Sequence, residues 1–224
     1  MAQVMEHTKA VAGPGDLRSA GIAALAGAVT MVVGAALYLA GGADPWKAVS
    51  SGDMATYLAD AADGSSVLYA GLAAWIVGVL GLAIGGRLLA AHGDGPLARA
   101  AGSTFTIGGA AAIPAFVAMA ALIRLAGSGS ASHELADTLA FFATTLDDVA
   151  TIVIVGLSPA LVVLSARAAW VPRWLFALGL LAGVAGLISA GSIFAGASST
   201  LGFVIVPLGL GWMAAAGVVA IRRG

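Results

Sequence analysis

The feature that most constrains this chain is a series of six apolar stretches, each long enough to cross a lipid bilayer. A transmembrane helix needs about 20 mainly apolar residues to span the hydrocarbon layer. The strands of a transmembrane β-barrel instead alternate over about ten residues, and no such alternation occurs here. The sequence therefore predicts an all-α, polytopic membrane protein. The stretches lie at about 19–41, 66–86, 102–125, 137–165, 174–195 and 200–221.

Composition supports a membrane protein with a single domain. Apolar residues make up 60% of the chain and charged residues 9%, whereas a soluble domain carries roughly a quarter charged residues. Nearly all residues belong to the six stretches or to short links, so residues 18–224 are predicted to form one six-span bundle. Residues 1–17 are polar and are expected to form a flexible cytoplasmic tail.

Eight of the ten cations lie on one side of the predicted bundle, and only Lys47 and Arg124 lie on the other. Cytoplasmic links of membrane proteins are enriched in Lys and Arg, which predicts that both termini are cytoplasmic. Abundant Ala and Gly, with Arg preferred over Lys, are typical of a bacterium with a GC-rich genome, so the inner membrane is the expected location. The cations on the predicted cytoplasmic side are Lys9, Arg18, Arg87, Arg99, Arg167, Arg173, Arg222 and Arg223.

The link between the first two spans is predicted to contain a short amphipathic helix at about residues 53–62. Asp53 can cap its start, and Met54, Tyr57 and Ala61 recur at helical spacing. We expect this helix to lie along the outer membrane surface. It would serve there as a packing lid, as a gate for a substrate or as a docking element for a partner.

Several classes of function are excluded. The chain has no cysteine and a net charge of −1, which argues against thiolate metal sites and against nucleic-acid binding. A retinal Schiff base needs a lysine within a span, but Lys9 and Lys47 lie in polar segments. The histidines lie outside the spans or at their edges, which disfavours haem. No phosphate-binding loop motif occurs. We therefore expect no cofactor.

Two adjacent acids, Asp147 and Asp148, interrupt the fourth apolar stretch. An ionised carboxylate near the bilayer centre costs at least a few kcal/mol, so such residues usually face a cavity and mark a functional site. At 100° per residue, the acids share one helix face with Thr144, Thr151 and Ser158. This polar face is predicted to line the bundle interior as a proton- or ligand-binding site. Because like charges so close together repel, we expect the pair to retain at least one proton near neutral pH.

A weaker pattern begins just before the fourth stretch. His133 and Asp137 are four residues apart and could share a helix face as two metal ligands. A closed zinc site needs four ligands. The favoured interpretation is therefore a helix start capped by Ser132, with Glu134 near the positive end of the helix dipole, and no metal is expected.

Residues 171–175, Val-Pro-Arg-Trp-Leu, followed by residues 178–183, Leu-Gly-Leu-Leu-Ala-Gly, resemble an uncharacterised six-helix bacterial integral membrane family. That family is a domain of unknown function with a Pro-Arg-Trp-Leu segment at the start of its fifth helix. The resemblance covers most of residues 19–223. It implies a six-span architecture and carries no functional residues over to this chain.

Three functional hypotheses follow. The favoured one is a small proton-linked permease, channel or sensor component that uses the Asp147 and Asp148 pair. The second is a membrane-embedded enzyme in which these acids protonate a lipid or isoprenoid substrate, although no catalytic motif is present. The third is a structural or assembly subunit. The expected partners are the lipid bilayer, a small lipophilic or ionic ligand, and a second copy of the chain or another membrane protein.

Overall fold

The computed structural model describes residues 14–128, 132–194 and 202–224, and in this part of the chain every element of regular structure is helical. Six helices are long and apolar enough to cross a membrane, which confirms the prediction of an all-α, multi-pass protein. The elements are α1 (Pro14–Ala40), α2 (Pro45–Ser51), α3 (Met54–Asp63), α4 (Ser65–Ala91), α5 (Gly95–Ser128), α6 (His133–Thr151), a π-helix (Ile152–Leu157), α7 (Ser158–Ala166), α8 (Arg173–Phe194) and α9 (Gly202–Arg223).

The six spans are α1, α4, α5, the continuous run from α6 to α7, α8 and α9. Most extend beyond the apolar stretches, because helical hydrogen bonding does not require apolar side chains. The clearest case is α5, which occupies Gly95–Ser128 instead of the predicted 102–125. The first span begins at Pro14, so the end of the predicted tail is helical. Residues 1–13 lie outside the described part of the chain.

The spans follow one another around the bundle, and the last returns to pack against the first. The start of α1 meets the end of α9, where a Cβ atom added at Gly21 would lie 2.6 Å from the carbonyl oxygen of Gly217. We call this end of the bundle the terminal end. The opposite end carries α2 and α3 and is called the distal end.

Glycines at intervals of seven residues join α1 to α4. Seven residues are about two helical turns, so the glycines of each helix lie on one face. A Cβ at Gly27 would lie 2.5 Å from the Leu82 nitrogen, and one at Gly78 would lie 2.8 Å from the Met31 nitrogen. Small residues at these points let the two backbones approach closely. The glycines of this α1–α4 contact are Gly27, Gly34 and Gly41 with Gly71, Gly78 and Gly85.

The fourth span changes its hydrogen-bonding pattern halfway along its length. Pro159 lies near the start of α7, where it has no N–H to donate and would crowd the carbonyl of Val155 in a regular α-helix. The π-helix Ile152–Leu157 accommodates this by widening the turn. Ser158 is fully buried, with its hydroxyl oxygen 2.7 Å from the Val153 carbonyl oxygen and 2.8 Å from Thr104 Oγ1.

Two short helices cover part of the distal end. The predicted amphipathic helix is α3, whose Met54, Tyr57 and Ala61 are buried, and it packs against α5 and α6. Asp53 accepts a hydrogen bond from the Thr56 amide at 3.1 Å. Helix α2 precedes it and was not predicted from the sequence. The two helices meet at Gly52, whose φ of 72° favours glycine.

Candidate functional site

A cavity of about 350 Å³ occupies the distal half of the bundle. Residues of the first, second, third, fourth and sixth spans line it, together with the loop and helix that follow α1. Among the lining residues, Leu39, Asp44 and Pro207 are exposed, so the cavity extends to the bundle surface. The described lining residues are Met31, Ala35, Tyr38, Leu39, Ala43, Asp44, Trp46, Trp75, Phe116, Asp147, Asp148, Thr151, Val206, Pro207 and Leu210.

Asp147 and Asp148 both line this cavity and are half-buried. Adjacent helix residues point about 100° apart, so a cavity beside α6 can receive both carboxylates. Trp46 of α2 donates a hydrogen bond from Nε1 to Asp148 Oδ1 at 3.2 Å. The pair therefore faces the bundle interior and contacts a helix outside the membrane spans.

Stacked aromatic rings form the wall that joins the first three spans. The ring centroids of Tyr38 and Trp75 are 4.7 Å apart with an interplanar angle of 23°. Those of Trp75 and Phe116 are 5.5 Å apart at 29°. Gly34 permits this arrangement, because a Cβ at that position would lie 2.5 Å from Cδ1 of Trp75. The α1–α4 contact thus positions the aromatic wall.

The Tyr38 hydroxyl is the most unusual polar group at the cavity. Tyr38 is only 3% exposed, and its hydroxyl has no hydrogen-bond partner in the described structure. The Tyr57 hydroxyl lies near enough to interact with it, although the pair falls short of strict hydrogen-bonding geometry. Burial raises the pKa of Tyr57 to about 12, so that hydroxyl stays protonated at physiological pH. The two buried hydroxyls therefore serve each other as neighbours behind the cavity wall.

The structure brings together three of the five predicted site residues. Thr151 lines the cavity beside Asp147 and Asp148. Thr144 is buried, and its hydroxyl donates to the Ala140 carbonyl oxygen at 2.9 Å within its own helix. Ser158 lies beyond the π-helix and contacts Thr104. Neither Thr144 nor Ser158 is among the lining residues.

The weak metal pattern lies apart from the cavity. His133 and Asp137 are both exposed in the first turns of α6, at the distal end. Among the described residues, no group of three or more His, Cys, Asp or Glu side chains is placed to hold a metal ion.

Sequence reasoning missed the aromatic residues of the site. Tyr38, Trp75 and Phe116 lie in apolar stretches, where an aromatic residue signals burial but not which cavity it faces. The position of Trp46 in a short helix could have been predicted from its neighbours in the sequence. This residue follows Asp44 and Pro45, an N-cap residue and a first-turn proline that together mark a helix start.

A second concavity, of about 630 Å³, lies at the terminal end between α4 and α5. Its cations, Arg87 and Arg99, are exposed, and its described lining contains no acid and no aromatic residue. It is a surface groove separate from the carboxylate pair.

Comparison with family models, with curated proteins and with solved structures finds no match. The resemblance of the Pro-Arg-Trp-Leu segment to a six-helix bacterial family therefore stays a prediction.

Proposed function

We propose that the protein is a small proton-linked permease in which Asp147 and Asp148 bind protons in exchange for a ligand. The observation that carries this proposal is the position of both carboxylates on a cavity in the distal half of the bundle. Ionised carboxylates in a medium of low polarity are stabilised by a proton or by another positive group. A proton and a ligand that compete for the same negative charge are thermodynamically coupled.

The fourth span supports movement linked to this exchange. The cavity includes Thr151 but not the residues that follow it, and Ile152, Ile154 and Val155 are buried. The π-helix begins directly after Thr151. Because π-helical segments often mark functional sites, we propose that the fourth span bends here and alternately exposes the carboxylates to the two sides of the membrane.

We also propose that the terminal end faces the cytoplasm of a bacterial cell, so that the cavity lies in the outer half of the inner membrane. The arginines at the helix ends support this orientation. Within the described residues, Arg87 near the end of α4, Arg99 near the start of α5, and Arg222 and Arg223 at the end of α9 all belong to the terminal end. This is the distribution expected for cytoplasmic links.

A membrane enzyme that uses the pair as a general acid is the second candidate. It is favoured by the confinement of the cavity to one half of the bundle, where a membrane-dissolved substrate could enter. An assembly subunit is less well supported, because both acids line a cavity of the bundle.

An infrared titration tests the proton site without a substrate. Purified protein in lipid is compared with the Asp147→Asn and Asp148→Asn variants and with Asp60→Asn, which changes an exposed acid of α3. We expect a protonated-carboxyl band near neutral pH that both site variants diminish and the control retains. If neither site variant alters any titrating band, the proton-linked hypothesis is wrong.

Proteoliposomes then separate transport from catalysis. With a pH-sensitive dye enclosed and a gradient of a candidate ligand imposed, a permease should move protons against the ligand at a rate that Asp147→Asn lowers and Asp60→Asn does not. A titrating carboxyl band without proton movement under any ligand gradient would favour the enzyme instead.

A further inference from the structure

The lining of the distal cavity is acidic. Asp44, Asp147 and Asp148 contribute carboxylates, and its described lining residues include no Lys, Arg or His. Charged groups are stabilised by opposite charge nearby, so an anionic ligand would be repelled. The electrostatics of the lining therefore favour a cationic ligand.

The aromatic wall favours a cation that carries carbon over a bare metal ion. Calcium and magnesium need six or more oxygen ligands, whereas much of this lining is aromatic or aliphatic. The faces of Trp, Tyr and Phe attract ammonium groups through their ring electrons. Tyr38, Trp75 and Phe116 line the same cavity as the acids, and a ring face that the stacking leaves uncovered can contact an ammonium group.

The cavity size also suits an organic molecule. Its volume of about 350 Å³ lies within the range of about 300–1,000 Å³ that is typical of small-molecule sites. A single inorganic ion would leave most of this space unfilled. Apolar groups of Met31 and Leu210 line the same cavity and can contact the uncharged part of a ligand.

Tyr38 contributes its ring to the wall of the cavity, whereas its hydroxyl is buried against the Tyr57 hydroxyl. The ring, and not the hydroxyl, is therefore the part of Tyr38 that a ligand in this cavity would contact.

We propose that the cavity binds a monovalent organic cation, an ammonium group attached to an apolar body. Its charge lies between the Asp147 and Asp148 carboxylates and the aromatic wall formed by Tyr38, Trp75 and Phe116. This inference rests on the proposed function, because it identifies the ligand that exchanges with protons at the same pair.

Equilibrium dialysis tests the inference with a defined probe. Radiolabelled benzyltrimethylammonium is a suitable cation, because its quaternary nitrogen cannot lose a proton and any pH dependence must come from the protein. The full chain is placed in nanodiscs of zwitterionic phosphatidylcholine, which lack the negative charge that would attract the probe. Neopentylbenzene has nearly the same shape without the charge and serves as a neutral competitor.

We expect saturable binding at one site that neopentylbenzene does not displace. Asp147→Asn should weaken binding about tenfold or more, because a charged partner is lost. Trp75→Leu should weaken it roughly 2- to 30-fold, while Trp75→Phe, which keeps an aromatic face, should retain most of the affinity and guards against a folding defect. Asp60→Asn and Trp174→Leu, which change exposed residues, should bind as wild type does.

Absence of saturable binding at millimolar probe, equal displacement by the neutral competitor, or wild-type affinity in Asp147→Asn would each overturn the inference. The two proposals fail separately. If the carboxyl band titrates as expected but no cation binds, the proposed ligand class is wrong and the proton site is retained. Cation binding that ignores pH supports the cation site and refutes the proton linkage.

Discussion

Trp46 Nε1 donates a hydrogen bond to Asp148 Oδ1 across 3.2 Å, although the two residues are 102 positions apart in the sequence. The bond joins a short helix outside the spans to an acid within the fourth span. Changes in the charge or position of Asp148 can therefore reach α2 directly, and changes in α2 can reach the acid pair.

Replacing Trp46 with Phe removes this hydrogen bond but keeps an aromatic ring. We expect the coupling between Trp46 and Asp148 to be about 1 kcal/mol, because a bond to a charged group is stronger than average but the acid is half-buried. A double-mutant cycle with Asp148→Ala, followed by thermal unfolding in detergent, measures it. Trp174→Phe, at an exposed site, should show no coupling to Asp148→Ala. Additive effects of Trp46→Phe and Asp148→Ala would contradict the prediction.

Enlarging a glycine of the α1–α4 contact should force the two helices apart. A Cβ at Gly78 would lie 2.8 Å from both the backbone nitrogen and the side chain of Met31, so Gly78→Ala is expected to destabilise the fold by about 1–3 kcal/mol. Gly211→Ala is the matched control, because a Cβ there meets nothing within 4 Å and alanine favours helix. Circular dichroism during heating compares the two. Equal stability of both variants would show that the helices tolerate the added carbon.

Substitutions at Ser158 and Thr151 should have different effects, the first on the free energy of unfolding and the second on ligand affinity. Ser158→Ala removes the hydroxyl that contacts Val153 and Thr104, and should lower stability by about 1 kcal/mol without changing affinity for benzyltrimethylammonium. Thr151→Val keeps the side-chain volume at the cavity and should change affinity with little loss of stability. Thermal unfolding measures the stability of both variants, and equilibrium dialysis measures their affinity for benzyltrimethylammonium. If Ser158→Ala weakened probe binding and Thr151→Val did not, Ser158 would belong to the binding site and the prediction would be wrong.

The start of α3 should loosen in acid. Hydrogen bonds from Thr56 hold the pKa of Asp53 below its ordinary value, so the ionised carboxylate stabilises the cap above that ordinary pKa. This stabilisation is lost as the pH falls through the lowered pKa. Hydrogen exchange, corrected for intrinsic rates, should therefore show protection of the first α3 amides falling in acid. Asp53→Asn still caps the helix but does not titrate, so its protection should not follow the same pH dependence.

The spans and the acid pair were accessible from sequence, because long apolar runs and charges within them are strong local signals. Helix α3 was also predictable, because Asp53 is a typical N-cap residue and the apolar residues Met54, Tyr57 and Ala61 recur at helical spacing. Helix α2 has only seven residues, too few for a periodic pattern. Its contact with Asp148 depends on packing between distant parts of the chain, which no local pattern encodes.

The placement of Thr144 and Ser158 shows two limits of a helical projection. Thr144 is buried but does not line the cavity, and its hydroxyl donates to the carbonyl oxygen of Ala140, a common outcome for threonine within helices. Ser158 was placed by assuming 100° per residue throughout. The π-helix Ile152–Leu157 has more residues per turn, so the direction of every later side chain is rotated.

The α1–α4 contact also bears on how the chain is made. Its glycines come from the first two spans alone, so this hairpin can close while the rest of the protein is still being synthesised. Tyr38 and Trp75 can then stack before the fourth span leaves the ribosome. The two carboxylates would enter the bilayer beside this part of the wall, and Val206, Pro207 and Leu210 of the sixth span would complete the cavity last.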